Sequence, residues 1–442
     1  MLKILIITSW YPPDTAIAAV RPYMFAKYLS RLGHSVTVFR SGAISQSCDS
    51  FFEELPEVRV ISYLGEDSPA EKFSRGEWKN DPNYGRSRIF FLPEEIRLEI
   101  AKLYHWVMQP LDFMRSKKRV NALLEQQKKA LENLKEERFD VIFSTFGEAE
   151  NIFAGQFAGK LFQCPVIQDF RDPVAVRTFQ SGSQYRYWKK IQDGGVLNAD
   201  ACTAVSEDLL HEICSGLKVK NKMVLYNGYE PVDSNFTQAV SSEALSFCYT
   251  GQLYGGLSDF SPLLKAIQKL SQEGKISLDH IKIHYAGKDF ELLHQKAAAM
   301  GVEKVLINHG YVGRTEAAKM QAESDFFVVL SWNTTNSKGI LTGKFYEGIR
   351  AKKPIISIVS GDAPRSELYM INEKYHYGFC YEMIREKEQF QLFCDFLENA
   401  YHEKMQSGNI THIVSRLLAE DFRYDVLAKC LETLCFDLID KK

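Results

Sequence analysis

The chain has 442 residues, 45% of them hydrophobic and 25% charged, with a formal net charge of -2 at pH 7. That length exceeds what one hydrophobic core ordinarily serves, so two or three domains are expected. The balanced charge argues against a general nucleic-acid binder, and no run approaches the ~20 apolar residues that a membrane-spanning helix needs.

The opening MLKILIITSWYPP has too short an apolar run for a signal peptide and reads as a buried first strand. A cytoplasmic location is expected, with peripheral contact at the inner face of the cytoplasmic membrane left open. Residues 3–8 form that strand, the loop SWYPPD follows, and 22–32 read as a helix with Phe25, Leu29 and Leu32 on one face. Gly33 stops it and a strand resumes over 34–40, completing a βαβ unit of the kind that builds parallel sheets. Further strands are expected at 58–63, 140–145, 165–169, 199–204 and 222–226, with helices over 152–161 and 207–214. Residues 65–93, which include Trp78 and Tyr84, read as a long loop on the active-site side. Residues 94–138 read as helical. Their run Arg115-Ser116-Lys117-Lys118-Arg119 is either a solvated helix face or a patch facing anionic lipid or a lipid-linked substrate.

A polar stretch over 231–246 reads as a linker, after which the βα pattern restarts. Strands are expected at 245–250, 281–286, 305–308, 326–330 and 354–359, and helices at 262–270, 290–300, 315–322 and 344–351. Ser261 fits an N-cap with Pro262 at the first helical position. The tail from Gln389 is mostly helical. The expected domains are therefore 1–235 and 245–400, with a C-terminal helix in 415–442 packing back on the first. Two parallel-sheet α/β domains facing one another make a cleft at their strand ends, where open parallel sheets bind ligands. The nine cysteines, none in a CxxC pair, read as core thiols.

Several segments resemble glycosyltransferase family 4, the retaining group with two Rossmann-like domains facing across a cleft, an architecture called GT-B. They are the opening TSWYPPDTAIAAVRPYMFAKYLSRLGHSVTVF, QDFRDP, NADACTAVSEDL, YNGYE, YTGQLYGG and GKFYEGIRAKKPII, in that order over nearly the whole chain. The bacterial surface-polysaccharide members are the most similar in QDFRDP and NADACTAVSEDL. The resemblance implies transfer of a sugar from a nucleotide diphosphate donor to a hydroxyl, in cell-surface polysaccharide or lipopolysaccharide synthesis. The acceptor would be a glycan or lipid-linked, with no nucleic-acid partner. Neither a cofactor nor a metal is expected, as no DxD-type pair lies near the donor segments.

Glu347, on a helix at the carboxyl edge of the second sheet, can accept hydrogen bonds from two ribose hydroxyls, as the matching Glu does in family members. Lys344, one turn earlier, pairs either with a phosphate or with Glu347. The loop Gly251, Gln252, Gly255, Gly256 can bring backbone N–H groups to a diphosphate, and Arg314 is a candidate cation beside it. Gln252 stands where many relatives have Arg, and Gly339 where they have a second Glu near the donor sugar. In the first domain Asp169, Arg171 and Asp172 are the catalytic candidates, with Ala18 and Arg21 on the acceptor side. Arg171 or Arg21 could instead meet the donor phosphate, and Arg171 also fits a structural ion pair. Asn227-Gly228 reads as a hinge turn with positive φ, and Glu207 as a helix cap. Two other readings remain: a nucleotide-sugar epimerase or phosphorylase of the same fold, and an inactive member that binds a glycan or a partner enzyme. Gln252 and Gly339 support the latter.

Overall fold

The computed structural model describes residues 1–14, 17–41, 52–63, 94–177, 180, 182–231, 243–253, 258–410 and 420–441, with backbone only for 94–112 and 314. Two compact units emerge. Residues 1–204, 210–224 and 428–442 form the first, and residues 205–209 and 225–427 the second. The expected loop over 65–93 lies outside the described residues.

Among its described residues the first unit has seven parallel strands. They are β1 Lys3–Thr8, β2 Ser35–Arg40, β3 Arg59–Ser62, β4 Val141–Phe146, β5 Val166–Phe170, β6 Ala201–Ala204 and β7 Lys222–Val224, in the order β3-β2-β1-β4-β5-β6-β7. The helices are α1 Val20–Arg31, α2 Glu94–Glu132, α3 Glu150–Phe162, α4 Gly182–Leu197 and α5 Glu207–Cys214, the first turn of α5 belonging to the second unit. In β1, every residue after Lys3 is buried. A parallel sheet covered on both faces demands such a continuous apolar run rather than alternation. Phe25 and Leu29 of α1 are fully buried, and each such side chain contributes about 1.5–3 kcal/mol. Strand order reverses direction between β1 and β4, which opens a crevice at their carboxyl ends.

The second unit repeats the plan with β8 Leu245–Thr250, β9 Ile281–Ala286, β10 Leu306–Asn308, β11 Phe326–Trp332, β12 Ile355–Ser360 and β13 Gly378–Glu382. Their order is β10-β9-β8-β11-β12-β13, all parallel, with the reversal between β8 and β11. Its helices are α6 Ser261–Gln272, α7 Phe290–Ala299, α8 Arg314–Glu323, α9 Gly343–Arg350, α10 Glu367–Tyr375 and α11 Glu386–Ser407. One face of the sheet packs Phe247, Ile283 and Val328 against Leu263 and Ile267 of α6 and Phe393 of α11. The other packs Phe327 and Ile355 against Phe345 and Ile349 of α9 and against Phe422.

The last helix, α12 Tyr424–Ile439, begins in the second unit and from residue 428 belongs to the first. There Glu432 Oε1 lies 2.7 Å from His34 Nε2, while His34 Nδ1 accepts the Leu2 N–H at 3.1 Å. With Nδ1 as acceptor, the ring proton sits on Nε2 and faces the carboxylate.

Three elements have no counterpart in the expected pattern: α4, α10 and β13. Polar residues and the Gly194-Gly195 pair break the apolar period of α4, and only the buried Trp188, Ile191 and Val196 reveal its inner face. The start of α6 also differs. Asp259 Oδ1, not Ser261, accepts at the helix start, taking the Ser261 N–H at 2.9 Å and its hydroxyl at 2.6 Å. Neither Asn227 nor Gly228 has the expected positive φ. No helix among the described residues is long and apolar enough to cross a membrane.

Candidate functional site

At the carboxyl edge of the second sheet, the strand ends are tied together through backbone. The Gly251 N–H donates to Ala286 O at 2.8 Å and the Gly287 N–H to Gly310 O at 2.8 Å. A Cβ at Gly287 would lie 2.2 Å from Gly251 O, so only glycine permits that approach. The expected use of the Gly251 N–H as a phosphate donor is therefore corrected: it is already bonded within the sheet. Tyr249 OH donates to Gln252 O at 2.7 Å and leaves the Gln252 residue exposed. Gly255, Gly256 and the side chain of Arg314 lie outside the described residues; the backbone of Arg314 opens α8.

Beside Gly251 stand Lys344 and Glu347 of α9. Lys344 Nζ lies 2.9 Å from each carboxylate oxygen of Glu347. Gln321 of α8, itself 2% exposed, reaches the pair from behind. Its Nε2 donates to Glu347 Oε2 at 2.8 Å and to Thr250 Oγ1 at 2.9 Å. The lysine and glutamate side chains remain 31% and 25% exposed, so a ligand can reach both. A fixed carboxylate, a neighbouring ammonium and a strand end at the β8/β11 reversal can together hold a hydroxylated, anionic ligand.

Gly339 follows β11 in the loop that leads to α9. Its φ is +69°, and a Cβ there would meet Ser206 Oγ at 2.4 Å and Asp208 Cβ at 2.9 Å. Thus no side chain fits where the resemblance led one to look for a glutamate. The facing segment 205–209 starts α5, and it is capped by two groups. Ser206 Oγ accepts the Leu209 N–H at 3.2 Å, and the Glu367 carboxylate accepts the N–H of Glu207 at 2.8 Å and of Asp208 at 3.3 Å. The cap expected from Glu207 thus falls to Ser206 and Glu367. Burial raises the Glu367 carboxyl to about 7, against the pull of those two N–H donors and of a hydrogen bond with Tyr226.

In the first unit, the candidates Ala18, Arg21, Asp169 and Arg171 are brought together at the end of β5. Arg21 Nε and Nη2 meet Asp169 Oδ2 and Oδ1 at 3.0 and 2.7 Å. Asp169 also accepts the hydroxyls of Thr145 and Thr203, both at 2.8 Å. Arg21 is 2% and Asp169 0% exposed, so this pair faces the interior rather than a substrate. Arg171 Nη1 donates to Ala18 O at 2.5 Å and so anchors the loop before α1. Asp172 is the exposed member of the group.

A second buried polar cluster lines the β1/β4 reversal. Asn151 Nδ2 donates to Ser9 Oγ at 3.0 Å, and Gln127 Nε2 to Asn151 Oδ1 at 3.0 Å. Next to them Glu150 is 2% exposed, and one of its carboxylate oxygens has no partner. Burial, with Glu148 nearby, raises its carboxyl to about 8. Among the described residues no three His, Cys, Asp or Glu side chains converge as metal ligands would.

No protein-family model matches the chain, and no curated protein matches it. Solved structures do. Sucrose-phosphate synthase from Thermosynechococcus elongatus superposes with a TM-score of 0.59 at 12% identity, covering 100% of both chains. HepE from Anabaena, in complex with UDP-glucose, gives 0.55 at 12% identity over 98% of this chain and 99% of that one. A UDP-N-acetylglucosamine 2-epimerase homologue from Listeria monocytogenes gives 0.53 at 11% identity over 100% of this chain and 97% of that one. The fold is GT-B.

Within the GT-B fold, sequence reading located Glu347 and Lys344, and it located the cluster around Asp169. It missed Gln321, Glu367, Glu150 and Arg40. Arg40 is 2% exposed and fixes the first loop by donating to Tyr11 O at 2.8 Å and Pro12 O at 2.5 Å. Each of these is a single polar residue whose partners lie on other elements. A charged residue at the end of the apolar strand β2 was the one available signal, and it pointed to Arg40.

Proposed function

We propose that the protein is a retaining glycosyltransferase of the family 4 type, moving a sugar from a nucleotide diphosphate donor to a hydroxyl of a glycan or lipid-linked acceptor in cell-surface polysaccharide or lipopolysaccharide synthesis. The observation that supports it is the Lys344–Glu347 pair, braced by Gln321 and set beside Gly251 at the reversal point of a parallel sheet. In this reading Glu347 exchanges its lysine for two ribose hydroxyls, and Lys344 turns to the diphosphate. Gln252, Gly255, Gly256 and Arg314 complete the donor loop. The bond between the anomeric carbon and the diphosphate breaks, and a bond to the acceptor oxygen forms on the same face. The acceptor proton passes to the departing phosphate. Cations and N–H groups aimed at that phosphate stabilise the transition state more than the ground state. Asp172 is the acceptor-side group, while Asp169 acts through Arg21 as a positioning residue, and Arg171 through Ala18. The protein works in the cytoplasm.

A second reading is a nucleotide-sugar-binding protein without transfer activity, favoured by Gln252 and by the closed space at Gly339. Calorimetric binding of UDP, GDP, ADP and CMP to the wild type and to Glu347→Ala tests both. UDP comes first because HepE has been solved with UDP-glucose. Binding of one nucleoside diphosphate, lost in the variant, supports the donor site; no binding by folded wild type overturns it. With the donor class fixed, acceptor-dependent transfer supports the transferase, isomerisation of the free sugar nucleotide an epimerase, and binding alone the second reading.

A further inference from the structure

The second half of α2 and the outer face of α4 form one surface of the first unit. Phe113 joins them, its ring centroid 5.3 Å from Tyr187 and 6.2 Å from Trp188. Lys117 Nζ lies 4.5 Å from the centroid of Tyr187 and 5.4 Å from that of Phe113. On α4, Trp188, Ile191 and Val196 point inward, while Arg186, Lys190 and Leu197 are exposed at the helical spacing of four, then seven. Residues 113–119 and 182–193 together carry seven cations: Arg115, Lys117, Lys118, Arg119, Arg186, Lys189 and Lys190. They carry one acid, Asp193, which is bonded to Lys189. From the flank, Glu148 meets Arg119 at 3.3 Å. In a chain whose formal net charge is -2, this is a local concentration of positive charge.

Charge alone would suit any polyanion. Two further features select among them. Met114 and Leu197, on the two helices, are 55% and 46% exposed. An open recess of about 550 Å³ is lined by Tyr185, Arg186, Lys189, Lys190, Asp193, Gly194 and Leu197. Apolar tips among cations and aromatic rings match the headgroup boundary of a bilayer, where phosphates meet the first methylenes. A dissolved polyanion offers nothing for Met114 and Leu197 to enter.

We propose that this face docks on an anionic phospholipid bilayer, with its lysines and arginines on headgroup phosphates and with Met114 and Leu197 entering the interface. The attraction adds roughly fivefold in partitioning per basic residue near the surface. It is screened by salt. The inference goes beyond the transferase reading and does not depend on it.

Co-sedimentation of the full chain with vesicles tests it, using phosphatidylcholine alone or mixed with phosphatidylglycerol. Binding is expected only to the mixed vesicles, and it should weaken as salt is raised. Lys117→Ala/Lys118→Ala/Lys190→Ala should reduce it by at least tenfold. Lys265→Ala/Lys304→Ala, at lysines about half exposed in the second unit, should leave it unchanged. Met114→Ser/Leu197→Ser should weaken vesicle binding but not retention on dextran sulfate. Circular dichroism and thermal melts check that each variant is folded. Equal binding to phosphatidylcholine, or wild-type binding by the triple variant, overturns the proposal. An undiminished Met114→Ser/Leu197→Ser variant also overturns it, and assigns the face to a soluble polyanion instead.

Discussion

Lys344 places its ammonium 2.9 Å from both carboxylate oxygens of Glu347, one turn further along the same helix. A ligand hydroxyl must displace this lysine or share the carboxylate with it. Hydrogen bonds to a charged group are worth about 1.5–3 kcal/mol, so Glu347→Ala should weaken nucleoside diphosphate binding roughly ten- to hundredfold. Gln321→Leu should cost less, because it frees the carboxylate without removing it. Calorimetry on both variants measures the order; equal, wild-type affinities would detach this pair from the donor site.

Asp169 lies in the interior with its four bonds to Arg21, Thr145 and Thr203. Removing it leaves a buried guanidinium without its counter-charge. Asp169→Ala should therefore destabilise the first unit by about 3–5 kcal/mol. The exposed Asp172→Asn should shift stability by no more than about 0.5 kcal/mol. Urea unfolding compares the two. A loss of transfer activity in Asp172→Asn at unchanged stability would mark Asp172 as the group that meets the acceptor.

Gly339→Ala combines a positive φ with a Cβ 2.4 Å from Ser206 Oγ. Strain of this kind costs roughly 1–3 kcal/mol. Adding Ser206→Gly removes the hydroxyl, and glycine at an N-cap costs only a few tenths of a kcal/mol more than serine. The double variant should thus recover part of the loss in a thermal melt. No recovery would locate the strain in the backbone or in the contact with Asp208 Cβ, 2.9 Å from the added carbon.

Glu367 titrates near 7 in the folded protein, against an ordinary value of 4.5. The folded state therefore holds a proton that the unfolded chain has released, and stability falls as pH rises from about 4.5 to about 7. Above that range the contribution is flat, because both states are ionised. Glu150, raised to about 8, acts with the same sign over a window reaching higher. Glu367→Gln should lessen the fall in stability between about pH 4.5 and about 7 and leave the slope above that range unchanged. Melts at a series of pH values in both proteins read this directly.

Short apolar runs and their punctuation carried much of the fold in the sequence. β1 and β8 are legible because a strand buried on both faces must be apolar throughout, and α1 because Phe25 and Leu29 recur on one face. Glu347 was legible for a related reason: a helix following an apolar strand presents its early residues to the sheet's carboxyl edge. These are local consequences of hydrophobic period and chain direction.

What the tertiary structure decided were the partners. Asp169 looks like an active-site acid in sequence, but Arg21 sits 148 residues away and pairs with it in the interior. Gln321 and Glu367 have no local signal, since one braces a carboxylate 26 residues on and the other caps a helix 160 residues back. Gly339 reads as a missing glutamate until Ser206 is found against it. Periodicity is a property of neighbours along the chain. Buried hydrogen bonds and close approaches are fixed only when distant segments pack, so the sequence by itself determined most strands and helices but not α4, α10 or β13, and packing determined which polar groups serve the fold and which remain open to a ligand.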